Sequence, residues 1–391
     1  MAVSNDDLLQ SNGWEKFQRA LGRITHRVDS VLAVEMPLSF GLRYMYSPRG
    51  IINSRQLAPT FRASGSTVDG EHDAGFNVHE TSAIFWRAEH SSNLAPHGSP
   101  SKLQRSGASR LTTPLILRRL VEPEWTWRTS LVGSDDELLG RMHEKHRYNI
   151  RLAERRGVVV RMTPPPHAPP PEEGGKEKQL LPVHRRRGVE EKYFPHLPLG
   201  GGVRGGGICP RDLDSCWFLL QETAHRQGIA THPKTYYETM LRVLSRQSTV
   251  NSQQDGTDCR LYLAEHDGVA IAAAIVAYYG DTATYLHGGS SYAHRALMAP
   301  HLLHWQAMRD ARAVGMRWYE WGGIEPPPSL GRHSEEPRDE ESHTIHVGTW
   351  AGITRFKQGF GGEAVHHSPT RDLVFRPKLY RILSWLVRAR G

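Results

Sequence analysis

The sequence predicts an α/β (α+β) protein of two domains. Its 391 residues are enough for two hydrophobic cores of ordinary size. Three strand-length apolar segments follow one another at Cys259–Glu265, Val269–Tyr279 and Thr282–His287, separated by Asp-Gly and Gly-Asp turns. A helix over about Pro300–Val314 and a short strand at Trp318–Trp321 come next. Strands and helices therefore share the second half of the chain.

The earlier half alternates predicted elements with long polar segments. Residues 51–80 and 91–112 are rich in Gly, Ser or Pro and are predicted loops. From Thr163 to about Cys209 the composition becomes so rich in Pro and Gly that we expect a disordered insertion at about 163–208. The elements predicted before it are a helix at Asp6–Leu21 and strands at Val28–Val34, Leu42–Tyr46, Ala83–Glu89 and Trp125–Leu131.

The charge favours partners that carry phosphate. The net charge is +8 with a pI near 9.4, a balance that attracts polyanions such as tRNA or an anionic membrane face. The three cysteines give neither a disulfide framework nor a zinc-type pair. Neither a signal peptide nor an apolar run of about 18 residues is found. We expect a reduced, cytoplasmic protein.

The segment Asp135–Val158 predicts a helix, or two helices in succession. Ser134 and Glu137 have the spacing of a capping box, and Gly157 suits a left-handed C-cap. Cations recur at i, i+4 and i+8 along one face: Arg147, Arg151 and Arg155. On spacing alone, a solvated helix surface explains this stripe as well as a binding surface does.

Two segments carry a resemblance to a known family. RYNIRLAERRGV, residues 147–158, resembles a signature of the FemA/FemB/FemX aminoacyltransferases. WAGITRFKQGFGGE, residues 350–363, resembles the second signature of that family. Shorter matches follow the chain order: LQSNGWEKFQ, RYMYSPRG, AIFWRAE and ETAHRQG.

The resemblance implies both a fold and an activity. Members of the family carry two tandem GNAT-like acyltransferase domains, and they move an amino acid from aminoacyl-tRNA to the peptide of a peptidoglycan precursor. The chain has no sustained heptads, so it resembles the branch without a coiled-coil arm. We expect residues 1–160 to form the first domain, completed by a terminal helix at about 366–391, and residues 161–365 to form the second.

Aminoacyl transfer needs no covalent nucleophile, because the ester donor is already activated. The enzyme must position the substrates, deprotonate the amine and stabilise the oxyanion. The resemblance places Lys357 at the transfer site, where its glycine-rich segment would let the backbone approach a ligand. Glu320 is the candidate acceptor of the amine proton. It could equally hold its loop through hydrogen bonds.

Four further residues are candidates for substrate binding. His232 lies in the loop where relatives bind the diphosphate of the precursor, often with arginine instead, and Lys16 corresponds to a second phosphate contact. Tyr236 and Tyr285 would donate hydrogen bonds in the cleft, although each could also be a half-buried core tyrosine.

Arg147 and Arg151 are candidate contacts for tRNA or phosphate. The alternative for both is structural ion pairing with Glu144 or Glu154 on the same helix.

No metal or cofactor is expected. Two histidine pairs at i, i+3 lack a third ligand: His143 with His146, and His301 with His304. GNAT enzymes that use coenzyme A hold its pyrophosphate on a glycine-bearing turn, and Arg295–Pro300 is the equivalent here. Met298 crowds that turn and Pro300 removes an amide donor.

The prediction is a non-ribosomal aminoacyltransferase that adds Gly, Ala or Ser to the stem-peptide amine of lipid II or UDP-MurNAc-pentapeptide. The alternatives are a CoA-dependent N-acyltransferase and a catalytically inactive relative that binds RNA or a membrane. We expect a monomer. A basic helix at residues 375–390, with Leu379, Ile382, Leu383, Leu386 and Val387 on one face, should dock on the core, and peripheral contact with the inner membrane face is the less favoured alternative.

Overall fold

The computed structural model describes residues 7–28, 30–38, 41–51, 83–89, 111–112, 123–163, 209–245, 256–327, 347–367 and 370–388. The predicted insertion lies outside these ranges from residue 164 to residue 208, as do most of the loops predicted at 51–80 and 91–112.

The described chain contains both strands and helices. The strands are β1 (Thr25–Val28), β2 (Val31–Pro37), β3 (Arg43–Ile51), β4 (Ala83–Glu89), β5 (Leu111–Thr112), β6 (Trp125–Ser130), β7 (Val159–Met162), β8 (Asp258–His266), β9 (Val269–Tyr279), β10 (Thr282–Ser290), β11 (Trp318–Gly323), β12 (Glu363–His366) and β13 (Thr370–Val374). The helices are α1 (Asn12–Ala20), α2 (Asp135–Arg141), α3 (Glu144–Arg155), α4 (Pro210–Gln227), α5 (Lys234–Leu244), α6 (Ala299–Ala313), α7 (Val347–Gln358) and α8 (Pro377–Arg388).

The described strands form two mixed sheets of similar design. The first sheet has the order β1-β2-β3-β4-β13-β5, and the second has the order β12-β6-β11-β10-β9-β8-β7. Each contains one parallel neighbour pair, β3 with β4 and β10 with β11, among antiparallel strands. Parallel neighbours need a crossover connection, which α6 provides between β10 and β11. This recurrence is the internal repeat that the sequence does not reveal.

The sheets group the chain differently from the predicted division at residue 160. β6 and β7 both belong to the second sheet, although they lie before or at the predicted boundary. β13, from the end of the chain, belongs to the first sheet. Leu111 and Thr112 were predicted to be loop, but they form a short strand against β13. The division at residue 160 stays a prediction about domains.

A buried ion pair joins β4 to β13 in the first sheet. Arg87 on β4 and Asp372 on β13 are both fully buried, with Nε–Oδ1 and Nη2–Oδ2 distances of 2.7 Å. The Tyr380 hydroxyl of α8 donates to Asp372 Oδ2 at 2.7 Å. The strand, its partner and the terminal helix are therefore joined at one carboxylate.

The two sheets also share a hydrophobic cluster. Trp14 and Phe17 of α1, with Leu32 and Val34 of β2, belong to the same cluster as the inward side chains of α4, α5, β8 and β9. The Phe17 and Tyr236 rings meet edge to face, with centroids 5.1 Å apart. The N-terminal helix therefore spans the boundary between the sheets.

The predicted helix of residues 135–158 is two helices. Ser134 and Glu137 form the predicted capping box at the start of α2, and Gly157 follows α3 with φ +77°. The helix is interrupted at Met142 and His143. His143 caps α3, its side chain accepting a hydrogen bond from the Lys145 N–H at 3.2 Å.

The terminal helix α8 presents a different face to the core than predicted. Tyr380 and Leu383 are buried, and Leu379 packs beside them. Ile382, which was expected on the buried face, is 54% exposed, and Trp385 is 67% exposed. None of the helices within the described ranges has both the length and the apolar composition needed to cross a bilayer.

Candidate active site

The structure brings Glu320 and Lys357 together at the end of β11. Gly322, with φ +72°, turns the backbone so that its N–H donates to Glu320 Oε1 at 3.0 Å. Lys357 reaches this turn from α7, and its Nζ donates to the Gly323 carbonyl oxygen at 2.5 Å. Both side chains are therefore fixed by the same turn.

Burial moves the pKa values of the two groups towards each other. Burial raises the pKa of Glu320 to about 7, opposed by the Gly322 N–H, the Thr126 hydroxyl, Arg49 and Lys357. Burial lowers the pKa of Lys357 to about 8, opposed by the negative charge of Glu320. A carboxylate that can accept a proton and an ammonium that can donate a hydrogen bond can thus coexist near neutral pH.

The glycines that follow Lys357 make room for neighbouring protein segments. A Cβ on Gly359 would lie 1.9 Å from the His146 ring, and one on Gly362 would lie 2.2 Å from the Arg128 carbonyl oxygen. The Gly359 carbonyl accepts from the His143 N–H at 2.9 Å, and His146 Nε2 lies 3.0 Å from the Phe356 carbonyl oxygen. Gly359 thus holds the end of α7 against the start of α3, and Gly362 lies against β6. Approach of a ligand to this segment stays a prediction.

An aromatic cluster lies beside the pair. The Tyr285 ring meets His304 edge to face at 4.7 Å and Trp321 at 6.4 Å. His304 is buried, and its Nδ1 lies 3.0 Å from the Tyr319 hydroxyl. Burial lowers the pKa of His304 to about 3, with His301 and Lys357 adding to the effect. The imidazole is therefore neutral and adds no positive charge beside Lys357.

Three residues near the pair were missed by the sequence reasoning. Arg49, on β3 of the first sheet, adopts φ +53° and donates from Nη2 to the Pro123 carbonyl oxygen at 3.1 Å. Its positive charge lowers the pKa of both Glu320 and His367. The Thr126 hydroxyl lies 3.0 Å from His367 Nε2 and hydrogen-bonds Glu320 as well. Arg49 belongs to the RYMYSPRG segment, so the resemblance marked the region without assigning it a role.

His232 and Tyr236 form a second cluster, at the contact of α1 with α5. Their rings stack with centroids 3.9 Å apart, and Tyr236 also contacts Phe17 of α1. Lys16 is exposed on that same helix. Burial, aided by the charge of Arg23, lowers the pKa of His232, which favours the neutral imidazole.

A bulge on β10 separates Tyr285 from the second cluster. The register with β9 shifts between Tyr285 and His287. Residues at i and i+2 of a regular strand share one face, and a bulge breaks that alternation. Tyr285 packs against the core cluster that contains Tyr319 and Trp321, while the His287 ring meets Tyr237 at 5.1 Å. The same strand thus serves both clusters.

The predicted arginine stripe is not one continuous surface. Arg147 Nη1 donates to the Met142 carbonyl oxygen and lies 3.5 Å from that of Leu139, which ties the start of α3 to the end of α2. Arg151 is exposed. The Arg155 guanidinium lies over the Tyr148 ring at 5.8 Å. Substrate contacts through Arg147 and Arg151 stay predictions.

The turn before α6 has few amides to offer a pyrophosphate. Met298 takes a left-handed conformation, φ +56°, and Pro300 lacks an N–H. The N–H groups of Leu297, Met298 and His301 already donate to backbone carbonyls. Within the described ranges, no group of three or more His, Cys, Asp or Glu residues is placed to hold a metal ion.

The two sheets of similar design form a tandem GNAT-like fold. A model of the FemAB family matches residues 244–387. The lipid II:glycine glycyltransferase of Staphylococcus haemolyticus is 28% identical over 436 residues, covering 98% of this chain and 91% of that protein. The Staphylococcus epidermidis enzyme of the same name is 22% identical over 427 residues, covering 97% and 90%. The chain is therefore similar to the FemAB family over residues 244–387 and to these two transferases along nearly its whole length.

The fold also agrees with a solved structure. The crystal structure of FemX superimposes with a TM-score of 0.61 at 17% sequence identity, covering 98% of this chain and 96% of the other.

Proposed function

We propose that this aminoacyltransferase moves an amino acid from aminoacyl-tRNA to the stem-peptide amine of a peptidoglycan precursor. The relatives in Staphylococcus are named for lipid II and glycine. Gly, Ala and Ser are the candidate amino acids, and lipid II and UDP-MurNAc-pentapeptide are the candidate acceptors. The product would be a branch of the cell-wall peptide.

The observation that carries the proposal is the pairing of Glu320 with Lys357 at one turn. Transfer from an ester to an amine requires a base for the amine proton and a cation or donor for the developing oxyanion. A carboxyl with a pKa of about 7 suits the first task, and an ammonium with a pKa of about 8 suits the second.

The proposed reaction has three steps. Glu320 takes a proton from the ammonium of the acceptor, and the freed amine attacks the carbonyl carbon of the tRNA ester. Lys357 donates a hydrogen bond to the resulting oxyanion. The tetrahedral intermediate then expels the ribose oxygen of the tRNA, which takes up the proton held by Glu320, and the nitrogen of the new amide releases its second proton to solvent.

The other predicted contacts complete the proposed site. Lys16, His232 and Tyr236 would bind the diphosphate of the precursor beside the contact of α1 with α5. Tyr285 would face the acceptor peptide from the aromatic cluster. Arg151 is the better placed of the two arginines for tRNA, because it is exposed while Arg147 binds backbone carbonyls.

A CoA-dependent acyltransferase is the second candidate, and the turn before α6 disfavours it. Pro300 supplies no N–H there, and Met298 occupies a position with positive φ that glycine would favour. A catalytically inactive relative would not require the perturbed pKa values of Glu320 and Lys357.

The test is transfer of label between defined substrates. The protein is incubated with radiolabelled Gly-, Ala- or Ser-tRNA and with lipid II or UDP-MurNAc-pentapeptide, in separate reactions. We expect label on one precursor. Label arriving only from acyl-CoA would select the second candidate, and no transfer from any donor would select the inactive relative.

A further inference from the structure

The outward face of α8 combines two exposed apolar side chains with exposed cations. Spacings of three and four residues place Lys378, Arg381, Ile382 and Trp385 on one side of the helix. All four are exposed, and the opposite side, with Tyr380, is buried. The core therefore does not use this face.

The surrounding sequence has a single sign of charge. Residues 373–391 contain five Lys or Arg residues and no Asp or Glu. Each cation near an anionic bilayer strengthens binding by about 1 kcal/mol, which is about fivefold. Tryptophan favours the interface between lipid and water, where its ring is apolar and its N–H stays hydrated.

We propose that this face of α8 docks the enzyme on an anionic lipid bilayer. Ile382 and Trp385 insert among the acyl chains at the interface, while Lys378 and Arg381 contact lipid phosphates, as in amphipathic helices that lie on a membrane surface. A nucleic acid would also attract the cations. It offers no apolar phase for Ile382, which has no ring to stack on a base. The choice of a bilayer is supported by the proposed function, because one candidate acceptor, lipid II, is lipid-linked.

The direct test is co-sedimentation of the full chain with vesicles. One set contains equal parts of phosphatidylglycerol and phosphatidylcholine, and the other contains phosphatidylcholine alone. We expect binding to the anionic set, weakened by salt. Ile382→Ser with Trp385→Ser, and separately Lys378→Gln with Arg381→Gln, should each weaken it at least about tenfold, the charge pair because two cations contribute about fivefold each.

Matched variants control for the loss of any exposed side chain. Val269→Ser with Val314→Ser removes two apolar side chains that are 46% and 50% exposed. Arg242→Gln with Arg317→Gln removes two exposed cations elsewhere. Both control variants should bind vesicles as the unchanged protein does.

Three outcomes would overturn the proposal. They are failure of the unchanged protein to bind anionic vesicles, equal binding by the Ile382/Trp385 variant, and loss of tRNA binding without loss of vesicle binding in that variant. Vesicle binding is measured without any reaction, so it does not depend on the proposed function. If transfer is observed, the α8 variants should slow transfer to lipid II in vesicles at least about tenfold, in line with their binding, and leave transfer to the soluble UDP-linked acceptor unchanged.

Discussion

Replacing Glu320 by glutamine should abolish most transfer and at the same time stabilise the protein at alkaline pH. Glutamine keeps an oxygen that can accept from the Gly322 N–H, so the turn that Lys357 contacts is retained. It cannot accept a proton from the amine. Loss of a general base costs about 10²- to 10⁴-fold in rate.

The gain in stability follows from the direction of the pKa shift. The folded protein binds the Glu320 proton more tightly than the unfolded chain does, so wild-type stability falls as pH rises from 4.5 through about 7. At about 1.36 kcal/mol per pKa unit, the ionised carboxylate costs the folded state at most about 3 kcal/mol above about pH 8. Part of the gain is offset because loss of Glu320 lowers the pKa of Lys357 further.

Two measurements on one variant distinguish the roles of this carboxylate. Single-turnover transfer gives the rate, and urea unfolding at about pH 5 and about pH 8 gives the stability difference, which should be the larger at the higher pH. Glu325→Gln on the same loop is the matched control and should change neither. If Glu320→Gln keeps wild-type transfer, or is destabilised at alkaline pH, then Glu320 holds the loop and is not the base.

The remaining predictions concern Lys357, Arg49 and the buried ion pair. Lys357→Met should reduce transfer by about 10²- to 10³-fold, the usual cost of losing an oxyanion donor; wild-type turnover would rule the role out. It should also raise the pKa of Glu320, so that the acid limb of the residual pH–rate profile shifts to higher pH. Arg49→Gln should move that limb upward too, because Arg49 lowers the pKa of Glu320; an unmoved limb would mean that Arg49 acts only through structure. Asp372→Asn should lower the free energy of unfolding by about 3–5 kcal/mol, since it removes the buried carboxylate that pairs with the Arg87 guanidinium. Denaturant unfolding checks this, and Arg87→Met with Asp372→Leu should recover most of the loss.

Local chemistry made the helices predictable. The capping box at Ser134 and the glycine at residue 157 mark the ends of the α2–α3 segment, because both depend on residues a few positions apart. The inward turn of Arg147 was not predictable, since it follows from the break at Met142, where free carbonyl groups accept its guanidinium. The spacing predicted that Arg147 would lie with Arg151 and Arg155 on one exposed face, which the structure does not show.

The candidate site was only partly predictable from the sequence, because some of its contacts depend on tertiary structure. Lys357 and Glu320 stand in recognisable segments, and the structure joins them through Gly322 and Gly323. The approach of Arg49 depends on how the two sheets meet, which no local pattern encodes. The β10 bulge that places Tyr285 and His287 in different cores is likewise a tertiary feature.

The position of β13 between β4 and β5 has a consequence for biosynthesis. The first sheet contains a strand that leaves the ribosome only after the whole second sheet has been translated. Because domains generally fold as units during synthesis, residues 7–112 must wait for residues 370–374 with β4 unpaired along one edge. A nascent chain stalled before Thr370 would leave that edge unpaired, although every strand of the second sheet would already have been translated.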